Sequence, residues 1–595
     1  MSRIKLNMYL DNQLIGVANN WQRINIALIF EDENVQPAIE TDELEFVLVE
    51  NKLIRKWVTD GLIGGVGIFE PPEMRIEIAS EGNRLTVFEG LLDMVRDMVF
   101  VDCDKIRVKL TKKGGIVNLT ERTRAFSFAY LHDLPAGTPG RIPESDFVNV
   151  PYILAHIPDR TEILILSITL FMMLKEIFEL IKTILKDTGI IEGDLTDFPP
   201  NPEGAAVATI LLLVADIVYL IVIVIAIILL IRSLIRNLFS PVSNFKAMKL
   251  QKLLERGAEH LGYTFESTFF DNVNNRGLVI LPIKENRPDK KGNIIQLDGT
   301  KVKDTGFPTN KGQLYTYYDM LQFFKKLING KIRLIGNVIT IERKDFFSNQ
   351  SSYVLQDVFL KEFVFNANEI KGNFTLQFAV DVKDDTTLTN YEVNKTNFQR
   401  VTEPKVIKDR RNVMIKQLDQ INLPVSLPTR KEKLTIVELL LFGLTEPVDR
   451  LLDLFKKKER FSDKILARKG LLHLANDFTS QPKLIPMQGL RVHPAYRSIM
   501  NAEILHDNFY FINSFVAEPV NHSQFKIYKN IRIQFCFEDY VTLSENSWFT
   551  TSDGRRGRFE RIEGNPDGNF ADVDFRIEEI YTKNLKDRII KKIIT

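Results

Sequence analysis

From Gly204 to Ile231 the chain reads GAAVATILLLVADIVYLIVIVIAIILLI, and Asp216 is the only charge in those 28 residues. A helix that crosses a bilayer needs about 20 mostly apolar residues, so this run is long enough to span one. At about 25 cal/mol per Å2 of apolar surface, leaving such a helix in water would cost on the order of tens of kcal/mol. Lipid, further copies of the chain or a partner protein must therefore cover it, and the rest of the fold has to accommodate that demand.

A second candidate precedes it. Ile163 to Leu185 reads ILILSITLFMMLKEIFELIKTIL, uncharged through Leu174 and then carrying Lys175, Glu176, Glu179 and Lys182. With Ile177, Leu180, Ile181 and Ile184 at helical spacing, the second half is amphipathic. The connecting loop, residues 186–203, holds five acids against one base and the run Pro199-Pro200-Asn201-Pro202. Arg160 flanks one side, and Arg232 and Arg236 the other. By the positive-inside rule this is a helical hairpin with both ends on the cytoplasmic side. A helix buried on all sides in a protein oligomer is equally apolar and is the competing reading. In either case the expected contact residues are Ile163, Leu166, Leu170, Leu211, Tyr219, Ile223, Ile227 and Ile231. Asp216 is expected to turn to a bundle interior or an aqueous lumen, as acids within membranes do.

The remainder is globular in composition: 45% hydrophobic and 26% charged residues over 595 positions, enough for about four domains. With 78 Lys and Arg against 77 Asp and Glu, the net charge of +1 argues against a nucleic-acid binder held by non-specific charge. Cys103 and Cys536 are too few for a disulfide framework or a thiol metal site. The start, Met1-Ser-Arg-Ile-Lys-Leu-Asn, leads into no apolar run of signal-peptide length, so secretion is not expected.

Residues 1–150 read as strands. Ile24, Ile26, Leu28 and Phe30 alternate, as do Leu44, Phe46 and Leu48, then Met74, Ile76 and Ile78, then Ile106, Val108 and Leu110. Period two means one buried and one wet face, as in an antiparallel sandwich or barrel. The glycine-rich stretch 61–67 lacks the spacing of a phosphate loop, and Pro71-Pro72 stand where its helix would begin, so it is read as a turn. Residues 151–243 hold the hairpin, ending at Ser240-Pro241. Residues 244–400 form an α+β unit: a helix over Met248–Leu261 closed by Gly262, a buried strand Leu278–Leu281, a helix Tyr318–Asn329 closed by Gly330, a hairpin Lys331–Arg343, and strands over Phe363–Val380. Residues 401–480 are a basic linker with an amphipathic helix over Leu434–Lys457, and residues 401–470 carry 16 Lys and Arg against 10 Asp and Glu. Residues 481–595 return to strands, with Ile531, Ile533, Phe535 and Phe537 facing Val573, Phe575 and Ile577. The last 13 residues form a basic amphipathic helix.

Catalytic signatures are missing: no Gly-x4-Gly-Lys-Ser/Thr, no His-Glu-x-x-His and no Gly-x-Ser-x-Gly. The seven histidines are scattered. Asp572 and Asp574 share a strand face near Asp567, the placement a cation would need, but a solvated face is the expected reading. No cofactor, metal or catalytic residue is expected, and the chain is not read as an enzyme.

Several segments carry a resemblance: FKAMKLQKLLERGAEHLGYTFEST, YYDMLQFFKKLINGKIRLIGNVITIER, FTLQFAVDVKDDTTLTNYE and the closing SWFTTSDGRRGRFERIEGNPDGNFADVDFRIEEIYTKNLK. In order and texture the chain resembles uncharacterised tail proteins of Bacteroidetes phages and prophages, and the helix-plus-hairpin unit resembles the baseplate (tail) hub family of long-tailed phages. The resemblance covers about 1–130 and 244–595. It implies a mainly β fold with α+β parts, tail-tube-like β-barrel or sandwich domains, and the apolar helical hairpin as an insertion. It further implies a homotrimeric ring at the distal end of the tail tube. Its implied partners are the tail tube protein, the tape-measure protein and a central fibre or spike, with DNA only as transit cargo; the hairpin departs from the simplest hubs, and its own apolarity adds host membrane lipid as an expected contact. The alternatives are a bacterial inner-membrane scaffold with two spans and cytoplasmic β domains, and a tail-borne enzyme of cell-wall attack.

Overall fold

The computed structural model describes residues 5–31, 37–47, 52–56, 72–80, 83–93, 99–112, 122–155, 160–187, 202–238, 242–283, 294–295, 301–302, 316–356, 373–401, 418–435, 460–511, 525–536 and 546–578, apart from a few isolated positions, with short pieces near 49, 119, 438–450 and 538–543. The chain is β-rich with mixed α+β parts and an inserted apolar helical hairpin.

The alternating segments become strands because their apolar positions all point to one side. Ile26–Ile29 buries Ile26 and Leu28, Leu44–Val47 buries Leu44 and Phe46, and Lys105–Lys112 buries Ile106, Val108 and Leu110. These strands enter a 14-stranded sheet that crosses the sequence from end to end. Ile26–Ile29 pairs antiparallel with Ala38–Thr41 on one edge and with Arg556–Gly564 on the other, so Leu28 lies opposite both Ile39 and Ile562. Arg556–Gly564 then pairs with Phe570–Glu578, which pairs with Phe525–Gln534. One core therefore gathers Leu28, Phe46, Ile76 and Val108 with Phe559, Ile562, Val573 and Phe575. Inside it Phe549 fills the space over Gly557, where a methyl group would stand 2.1 Å from the ring.

A second core forms around two amphipathic helices, Leu250–His260 and Tyr317–Leu327. The first begins two residues later than the spacing suggests, because Met248 belongs to the strand Ser243–Lys249, where it pairs with Ile280 and Phe147. It closes at Gly262, whose φ of +82° suits the left-handed region. The second is capped by the Thr316 hydroxyl, which accepts from the Asp319 N–H. At its end Asn329, not Gly330, takes the left-handed position with φ +45°, and Gly330 opens the strand Gly330–Ile335. That strand pairs with Val338–Arg343 in the expected hairpin. The two helices approach closely at Gly257, over which the fully buried Tyr317 ring lies while its hydroxyl donates to the Leu254 carbonyl at 3.0 Å.

A six-stranded sheet completes the body, in the order Leu472–Leu474, Phe147–Leu154, Ser243–Lys249, Leu278–Leu281, Lys483–Gln488, Arg491–Val492. Its second and third strands leave for and return from the apolar insertion. They pair antiparallel with Tyr152 opposite Ser243, so the insertion springs from two adjacent strand ends. The glycine-rich stretch 61–67, the strand expected before Asn373, the Lys456–Lys458 run and the C-terminal basic segment lie outside the described residues.

Candidate membrane-contact and assembly site

Two long helices make up the insertion, Arg160–Asp187 and Pro202–Leu238. They pack antiparallel along a seam whose spacing follows from helical geometry: Leu170, Leu174 and Ile177 on the first, Ile223, Val224, Ile227 and Ile231 on the second. Met173, Ile181, Leu220 and Ile228 flank it, half-buried. Tyr219 donates its hydroxyl to Glu176 Oε1 at 2.7 Å and links the helices beyond the seam.

The hairpin does not stand on its own seam alone. Phe461 and Ile465, from the short helix Phe461–Leu466, join the same buried cluster, with Leu434 and Phe442 packed against it. This collar is held by carboxylates. Asp449 accepts from the Phe461 and Ser462 N–H groups at 2.7 and 2.8 Å, capping that short helix. Thr435 and Glu438 form a reciprocal capping box. Glu438 also meets Lys431 at 2.9 Å and Arg468 at 3.3 Å. Burial raises the Glu438 carboxyl, but the Thr435 N–H and the Lys431 ammonium outweigh it and hold the group below the ordinary range.

Away from seam and collar the apolar surface is bare. Leu211–Ile231 is the one described helix segment long and apolar enough to cross a membrane, and only 22% of its most apolar stretch is buried. Leu211, Leu212, Val218, Val222, Ile225 and Leu229 are exposed on the second helix, and Ile165, Phe171, Met172 and Phe178 on the first. Against this, Lys175, Glu176, Glu179 and Lys182 form an exposed polar stripe on the first helix. Asp216 is half-buried, three residues from Tyr219 and hence on the same side of its helix, the side whose Tyr219 reaches Glu176.

Of the residues singled out in the sequence, Leu170, Ile223, Ile227 and Ile231 are brought together in the seam, while Leu211 and Tyr219 are exposed. Ile163 and Leu166 lie within the first helix, with their side chains outside the described residues. The collar residues Phe461, Ile465, Leu434 and Phe442 were not legible as partners of the hairpin. The signal, an amphipathic stretch from Leu434, shows that an apolar face exists and not what it covers. Among the described residues no group of three His, Cys, Asp or Glu is arranged to hold a metal. Asp574 Oδ1 instead accepts from the Asn530 N–H at 2.7 Å.

Truncating the seam should loosen the hairpin selectively. Ile227→Ala removes a fully buried side chain shared by seam and collar, at a cost of about 2–4 kcal/mol. In limited proteolysis the variant is expected to be cut faster at Lys175 and Lys182 while the β body keeps its wild-type resistance.

The structure is a β-rich body carrying a helical hairpin whose apolar face is left largely bare over Leu211–Ile231. No protein-family model matches the chain, and no curated protein matches it. Among solved structures it is similar to the 43 kDa tail protein of prophage MuSo2 from Shewanella oneidensis, at 9% identity and a TM-score of 0.28, covering 96% of this chain and 97% of that one. It is also similar to the prophage tail protein gp18 from Listeria monocytogenes EGD-e, at 6% identity, TM-score 0.29 and 98% and 99% coverage. A third is the tail protein from Neisseria meningitidis MC58, at 5% identity, TM-score 0.27 and 97% coverage of both chains. Overlap at that level transfers neither fold detail nor function.

Proposed function

We propose that the chain is a structural protein of a phage tail, a baseplate hub at the distal end of the tail tube. Three copies form a ring beneath the tube protein, receive the tape-measure protein and carry a central fibre or spike. The ring acts by position and not by catalysis. The hairpin is covered by its counterparts in the resting particle and enters the host membrane while DNA is delivered.

The observation that carries this reading is the bare apolar face of Leu211–Ile231 on a hairpin rooted in two paired strands of a β body. A rooted hairpin is held by the body at one end and leaves the other free to insert. The polar stripe Lys175, Glu176, Glu179 and Lys182, together with Asp216, then lines the wet interior between copies, the side on which acids and bases in a membrane find water. Two permanent spans in a bacterial membrane fit less well. Four exposed charges on the first helix, with Glu176 at the level of Tyr219, would stand in lipid without the other copies.

Immunogold labelling of particles from the producing host tests the assignment. The expected result is label at the tail tip. Label confined to bacterial inner membrane, with bare tails, would overturn it.

A further inference from the structure

Away from the hairpin, three ionisable side chains from two separate segments meet in the body with no access to water: Lys483, and Asp381 and Asp384 from one loop. Lys483 Nζ lies 3.0 Å from Asp381 Oδ2 and 2.9 Å from Asp384 Oδ2, and donates to the Thr387 hydroxyl at 2.9 Å and to Ser426 Oγ at 3.4 Å. The two carboxylates are served unequally. Asp384 is saturated: Oδ1 accepts from the Ala475 N–H at 2.8 Å and from the Thr386 hydroxyl at 2.7 Å, and Oδ2 from the Thr387 hydroxyl at 2.7 Å. In Asp381 every donor converges on one oxygen. Oδ1 accepts from the Ser480 N–H at 2.8 Å, the Ser480 hydroxyl at 2.7 Å and the Lys383 N–H at 3.3 Å. Oδ2 accepts no hydrogen bond among the described residues, and the ammonium beside it is at contact distance without hydrogen-bond alignment.

That asymmetry is the arrangement acyl transfer requires. One oxygen sits in a cradle of donors that stabilises negative charge, the other is held only by its ion pair with Lys483, and that same nitrogen stands beside the carboxyl group as the nucleophile. A second carboxylate touches the nitrogen and can carry its protons. We propose that Lys483 and Asp381 condense into an intramolecular isopeptide bond, with Asp384 as the catalytic proton carrier. The Lys483 ammonium gives a proton to Asp384, which passes it to Asp381 Oδ2, and the freed amine attacks Cγ of the resulting carboxylic acid. Charge collects on Oδ1 among the Ser480 and Lys383 donors. Asp384 then carries the second proton, lost by the nitrogen, to Oδ2, which leaves as water. Three hydrogens on the ammonium become one on the amide, the other two depart with the oxygen, and Asp384 ends as it began. Nothing is oxidised or reduced. The bond removes one buried charge of each sign, and the water-poor surroundings favour loss of water.

Burial raises the Asp384 carboxyl, but the Lys483 ammonium and the Thr386 and Thr387 hydroxyls outweigh that and hold it below the ordinary range, so it starts ionised, and the hold slackens as the ammonium gives up its charge. The link would tie the loop after strand Asn373–Phe378 to strand Lys483–Gln488, part of the sheet from which the hairpin springs.

Intact-mass spectrometry of the full-length chain, purified in mild detergent, held at neutral pH and then denatured, decides the matter. Wild type is expected lighter than its sequence by one water, about 18 Da. Fragmentation is expected to yield one branched peptide joining Asp381 and Lys483. Lys483→Met and Asp384→Ala are expected at full sequence mass. Wild-type protein that resists protease as a folded body yet shows the full sequence mass overturns the proposal, whatever the variants do. A water-loss product that maps to another residue pair overturns it as well.

Discussion

A chain with lysine at Leu211, Val218, Ile225 and Leu229 is expected to remain in solution without detergent and to stay at the bottom of a density gradient when mixed with phospholipid vesicles. Wild type is expected to float with them. All four positions are exposed on the second hairpin helix and none belongs to the buried seam, so the substitutions leave the packing of hairpin on collar intact. Each lysine near the centre of a membrane helix costs about 2.5–3.5 kcal/mol on insertion scales, so four move the balance by on the order of 10 kcal/mol. That is enough to abolish partition at any practical lipid concentration. The control is Ile227→Lys, a single charge at the fully buried centre of the seam, which is expected to detach the hairpin without making the chain soluble. Flotation of the four-lysine chain at the wild-type level would show that this face does not meet lipid.

The second large effect lies in the body. Relative to wild type taken before its Lys483–Asp381 bond closes, Lys483→Met is expected to lower stability by about 3–5 kcal/mol, because it leaves Asp381 and Asp384 buried without a counter-charge. The shape of the lysine stem is retained, so the loss comes from charge and not from a cavity. A urea titration followed by intrinsic fluorescence reads it as a fall in midpoint with little change in slope. The loss is also expected to shrink as pH falls. Asp384 has its carboxyl held low by the Lys483 ammonium in the unlinked wild type, so its contribution is present at neutral pH and disappears as pH drops through that lowered value. Below that point wild type and variant should converge.

Local pattern carried the parts of this fold that depend on neighbouring residues. Alternation placed Leu28, Phe46 and Val108 on the inner face of their strands, since side chains on a strand change sides at every residue. The apolar run at 204–231 announced a helix, and over Leu211–Ile231 the body leaves most of it bare. Helix ends were legible to within a residue or two: Gly262 closes its helix as expected, whereas Asn329 takes the left-handed turn in place of Gly330, because an asparagine tolerates that backbone and its glycine neighbour was then free to open a strand.

What pattern does not carry is pairing across distance. Nothing near Leu28 announces Ile562 as its neighbour, because register between remote strands is set by the packing of the whole sheet. Nothing near Ile227 announces Phe461. The Lys483 cluster is the extreme case: a lysine in a strand, an aspartate after another strand and an aspartate capping a short turn are each ordinary surface residues by type. Only tertiary structure makes them a buried triad.

Sedimentation of the purified full-length chain at micromolar concentration, in buffer without detergent, tests the central claim most directly. A hairpin that must be covered predicts no monomer at 68.5 kDa: the chain should sediment as a defined ring or a larger assembly, and pass to monomer only when detergent takes over the apolar face. A monodisperse monomer, stable for days in plain buffer, would contradict it.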